Sequence, residues 1–82
     1  MSKISEIVEL LEQELETARI EYYRAIERQA NVLTEKQVYK NIYGRPMTKE
    51  QAIQLKSVAE GELKAIRSLL KEVRKITGKQ VN

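Results

Sequence analysis

The chain has 82 residues, 33% of them charged and 41% hydrophobic, with a net charge of +3 and no cysteine, histidine or aspartate. Disulfides and zinc sites built on Cys or His are therefore excluded, and the catalytic vocabulary shrinks to Glu, Lys, Arg, Tyr, Ser and Thr. A chain of this size buries too little surface to stand comfortably alone, so sharing a core with another copy is the expected route to stability.

From the amino terminus, Ser2 is a plausible helix cap, followed by an apolar seam at Ile4, Val8, Leu11, Leu15, Ala18, Tyr22, Ala25, Gln29 and Val32. The steps alternate between three and four, as a helix burying one stripe requires. The seam continues through Lys36, Tyr39 and Tyr43, and Val32, Leu33, Tyr39 and Tyr43 roughly keep the phase, so the preferred reading is one helix over about residues 3–43. A break near residues 31–34 is the alternative, because Thr34-Glu35-Lys36-Gln37 is itself a capping-box pattern.

The segment Tyr43-Gly44-Arg45-Pro46-Met47-Thr48 interrupts the pattern: Gly44 suits a left-handed C-cap and Pro46 blocks continuation. Thr48-Lys49-Glu50-Gln51 is a capping box opening a second helix over 48–77, with Met47 and Ala52 at the staple positions. Its seam reads Ala52, Leu55, Ala59, Glu62, Ile66, Leu69, Val73 and Ile76, broadened by Leu63 and Leu70. Gly78 is expected to end it, leaving 79–82 as a frayed tail.

These elements predict an all-α, antiparallel helical hairpin occupying residues 1–82 as one domain, dimerising into a four-helix bundle. The expected shared core is Leu11, Leu15, Ala18, Tyr22, Ala25, Leu55, Ala59, Ile66, Leu69 and Val73. A turn at Gly44–Met47 sets Tyr22 near Leu69 and Leu70, and Gln29 near Glu62. That last pair either forms a polar layer fixing register, or Glu62 swings out and Leu63 takes its slot.

Charge is distributed unevenly. Residues 1–21 carry six Glu against Lys3 and Arg19, a net of −4, whereas 22–46 are net +3 and 47–82 net +4. Acid-rich helix starts and base-rich ends complement the helix dipole. Lys64, Arg67, Lys71 and Arg74 form a stripe pointing away from the Ile66/Leu69/Val73 seam, out of reach of the first helix. Such a stripe is either an ordinary solvated face or a phosphate-binding surface. Lys40 and Arg45, beside Tyr39 and Tyr43 at the turn, form a second candidate for nucleic acid, against the alternative that the tyrosines plug the bundle end.

No Gly-rich phosphate loop or metal-ligand cluster occurs, and the sequence implies no cofactor. The expectation is a non-catalytic adaptor or regulatory protein acting as a homodimer on a protein or nucleic-acid partner. The alternative is a direct nucleic-acid binder using the basic stripe. No signal peptide or membrane span is expected, which suggests a soluble cytoplasmic protein.

Overall fold

The computed structural model describes residues 3–81; Ser2, the expected cap, and Asn82 lie outside them. Two helices, α1 (Lys3–Leu33) and α2 (Lys49–Val81), pack antiparallel as a hairpin 54 Å long. No helix among the described residues is long and apolar enough to cross a membrane.

The buried side of α1 follows its predicted seam. Leu11, Ala18, Ala25 and Val32 are buried one heptad apart, with Ile4, Val8, Leu15, Tyr22 and Gln29 half-buried between them. Alternation of a large residue with alanine keeps the helix axes close at the alanine levels. Ala25 and Ala59 indeed line the same groove between the helices.

α1 stops at Leu33, ten residues before its expected end, and the preferred unbroken helix is thereby corrected. The stop is a Schellman motif. Glu35 N–H donates to the Val32 carbonyl (3.2 Å), Lys36 N–H donates to the Asn31 carbonyl (2.9 Å), and Glu35 is left-handed at φ 58°. Glycine is the usual occupant of that position, since a β-carbon there costs about 1–2 kcal/mol. Glu35→Gly should therefore raise the unfolding free energy by up to about 1 kcal/mol, despite losing an exposed 3.8 Å contact with Lys49. Urea denaturation checks this, and an unchanged or lower midpoint would contradict the assignment.

Residues 34–48 form no helix, neither the expected end of the first one nor one opened by the Thr34-Glu35-Lys36-Gln37 pattern. They fold into a small hairpin in which Lys40 bridges Pro46 and Met47 N–H donates to the Tyr39 carbonyl (2.7 Å). Gly44 N–H donates to the Asn41 carbonyl (3.0 Å), and Asn41 N–H to the Arg45 carbonyl (2.8 Å). Gly44 takes the predicted positive φ (74°), but in a three-residue hairpin loop rather than at a helix end. The Asn41 side chain fastens this loop: its Oδ1 accepts from Tyr43 N–H (2.9 Å) and Arg45 N–H (3.1 Å), while Nδ2 donates to Gln51 Oε1 (3.4 Å). Tyr39 ties the loop to α1, its hydroxyl accepting from Asn31 Nδ2 (3.0 Å).

The second capping box forms as the sequence predicts. Gln51 N–H donates to Thr48 Oγ1 (3.1 Å) and Thr48 N–H donates to Gln51 Oε1 (3.0 Å). Ala52, at the staple position, is fully buried and Met47 is half-buried. α2 runs on through Gly78 to Val81, so the expected stop at Gly78 is corrected; Asn82, the end of the tail expected to fray, lies outside the described residues.

Two features of the interhelical packing also differ from expectation. The buried positions of α2 are Ala52, Leu63 and Leu70, with Lys56, Ala59, Ile66 and Val73 half-buried. Leu55, Leu69 and Ile76 are exposed instead of buried, and Glu62 is solvent-facing, as the simpler of its two readings required. The inward face of α2 is thus rotated by about 50° from the expected seam, at 100° per residue. The register is shifted too: Glu12 meets Arg74, Glu35 meets Lys49, and Glu21 shares a groove with Glu62. Gln29 and Glu62 therefore form no shared layer, nor does Tyr22 lie level with Leu69. Chain reversal centred near Asn41, instead of between Gly44 and Met47, accounts for the slip.

Candidate functional surfaces

The helix pair separates the molecule's sides by chemistry. On one side, Arg19 of α1 joins Arg67, Lys71, Arg74 and Lys75 of α2 around an open groove of about 500 Å³, floored by Leu15 and Leu70. The rotation of α2 creates this cluster by bringing Arg67 and Arg74 onto the edge facing α1. Arg74 Nη2 lies 3.3 Å from Glu12 Oε1, so α1 does reach the basic stripe, contrary to the sequence expectation. Arg19 pairs with Glu16 (3.9 Å) and Lys64 with Glu60 (3.3 Å). Arg67 and Lys71 have no ion pair among the described residues. Lys40 and Arg45 sit at the hairpin tip and are exposed, and Lys64 does not line the groove, so only Arg67, Lys71 and Arg74 of the six tentative nucleic-acid residues gather there.

At the tip, Tyr39 is half-buried, whereas Tyr43 is 78% and Ile42 90% exposed. Only Tyr39 thus fits the bundle-plug reading. Tyr43, Ile42 and Met47 instead wall a groove of about 630 Å³ with Leu55 and Val58 of α2 and Arg28 of α1. Sequence reasoning missed this groove. Leu55 and Val58 were legible as apolar, but not as lying on a second flank of α2.

One polar cluster tunes its own titration. Lys56 occupies a half-buried seam position and reaches outward, placing its ammonium 2.7 Å from Glu60 and 5.9 Å from the centre of the Tyr22 ring. The hydrogen bond from Lys56 and a second from Lys64 hold the Glu60 carboxyl below its usual pKa, and the bond to Glu60 raises that of Lys56. The depressed Glu60 contributes stability present above the ordinary carboxylate pKa and lost as pH falls through its lowered value. The raised Lys56 contributes below the ordinary lysine pKa and is lost as pH climbs through its own raised value. Glu60→Gln should remove the acid-side contribution and return the Lys56 pKa toward 10.5, readable by NMR titration of the lysine side chain. An unmoved Lys56 would refute the pairing.

Among the described residues, no three carboxylates gather to hold a metal ion. The chain matches no family model, no curated protein and no solved structure.

Proposed function

We propose that this chain is a non-catalytic adaptor or regulatory protein that works as a homodimer, two hairpins closing into a four-helix bundle. The observation that carries this reading is the large apolar surface left on a folded hairpin: Leu55, Val58, Leu69 and Ile76 on α2, and Ile7 and Leu10 on α1, are exposed. Exposed apolar patches of this kind mark an interaction site. Partner recognition falls to the outer faces, and the reading includes a cytoplasmic site of action, which the absence of cysteine suits. Sedimentation over a dilution series tests it: the expected result is a reversible dimer at micromolar concentration. A well-folded monomer throughout would overturn the proposal.

A second reading, direct nucleic-acid binding, rests on the cations that α1 and α2 bring around one groove, with Arg67 and Lys71 unpaired. Binding of duplex or single-stranded nucleic acid that weakens steeply with salt, and is lost on Arg67→Glu/Lys71→Glu, is its expected signature. No binding at low salt would eliminate it.

A further inference from the structure

We infer that the second copy docks on the side of the hairpin opposite the basic groove, with the two tips at opposite ends of the dimer and the twofold axis at the level of Glu62. This rests on the homodimer reading above and adds to it a face, a direction and a register.

The face is chosen by its pattern. Along α2, Leu55, Val58, Glu62, Ala65, Leu69 and Ile76 recur at steps of three, four and seven, forming a second flank beside the buried seam. On α1 the matching flank runs Ile7, Leu10, Glu14, Thr17, Glu21, Arg24 and Arg28. Three contiguous grooves lie along this side, through the tip groove, then Arg28/Leu55, then Thr17/Ile66. The side is thus apolar at both ends and charged in the middle. Among the described residues, the exposed large apolar side chains Tyr23, Ile26, Leu33 and Ile53 of the opposite side lie in its tip half, and its cations in the other half. A face 54 Å long and 18 Å wide offers each copy on the order of 800 Å², the size of a standard interface.

Charge selects the direction. None of Glu14, Glu21, Arg24, Arg28 and Glu62 forms an ion pair within the chain among the described residues. With tips at opposite ends, α1 lies over α1 of the second copy, running antiparallel. Glu14 then meets Arg28 of the second copy, and Glu21, level with Glu62 near the axis, lies within one helical turn of its Arg24. Leu55 meets the second copy's Leu69, and the Ile7/Leu10/Ile76 end covers its exposed Ile42 and Tyr43. Glu62 meets its own counterpart, beside Arg24, with which it shares a groove. With tips at the same end, α1 would instead lie over α2 of the second copy, setting Arg28 against its Leu55 and Val58, the residues level with Arg28 within the hairpin, and leaving that charge without a partner.

Three measurements test the inference. Arg45→Cys, unique because the chain has no cysteine, carries a nitroxide at the exposed tip. The expected label separation in the dimer is on the order of the hairpin's 54 Å length. A separation under about 25 Å would overturn the direction while leaving the dimer intact. Glu14→Arg should weaken association at least about ten-fold, and Glu14→Arg with Arg28→Glu should restore it. Failure of the double variant to recover would overturn the register; both positions lie outside the buried seam, so folding is retained and checked by circular dichroism. Finally, Leu69→Glu should abolish the dimer and Ile53→Glu should spare it. The reverse outcome would overturn the face alone, whereas a monomeric wild-type chain would remove both this inference and the reading beneath it.

Discussion

Leu70→Ala should lower the unfolding free energy by about 2–4 kcal/mol, enough to unfold much of a hairpin with so small a core. Leu70 is 2% exposed and sits on the inward face of α2, where truncation removes apolar contacts and leaves a void. Leu69, its neighbour in sequence, is 53% exposed. Leu69→Ala should change the stability of the isolated hairpin by less than about 0.5 kcal/mol and act instead on association, with an effect that grows as the protein is concentrated. Urea denaturation of both variants at two protein concentrations separates these behaviours. Equal losses at low concentration would contradict the orientation of α2 described above.

Asn41→Ala should cost about 1–2 kcal/mol, the upper range for a local capping side chain, because one residue supplies both the acceptor for two loop N–H groups and a donor to Gln51. Asn41→Asp separates these roles: it keeps the acceptor and loses the donor, and should recover more than half of the deficit. Thermal unfolding followed at 222 nm is the measurement, and a neutral Asn41→Ala would show that the backbone bonds of the loop suffice alone.

The α1 seam was readable because large residues and alanines repeat at a single phase, with no competing stripe over residues 4–32. The second capping box was readable because Thr48 and Gln51 have few other uses at that spacing. The end of α1 was not. A left-handed C-cap normally announces itself with glycine, and here the conformation falls on Glu35, while a glycine nine residues later serves another turn. The phase of α2 was ambiguous for a different reason. Leu55, Leu69 and Ile76 on one flank, and Leu63 and Leu70 beside it, both satisfy helical spacing, and only the partner helix decides which goes inside. Misplacing the turn then carried an error of about two helical turns into every cross-pair, including Gln29 with Glu62. The basic groove suffered similarly, because Arg19 joins it only once the register is known.

The locality of the connection at residues 34–48 shapes how the chain acquires its structure. In an antiparallel pair, the stretch of chain that must be closed grows steadily with distance from the connection, so Val32 with its neighbours across the turn closes a short loop and Leu11 closes a long one. The kinetic nucleus accordingly belongs near the connection, with zippering toward the termini. Substitutions around Asn41 and Thr48 should then slow folding, whereas those around Leu11 and Leu70 should chiefly hasten unfolding.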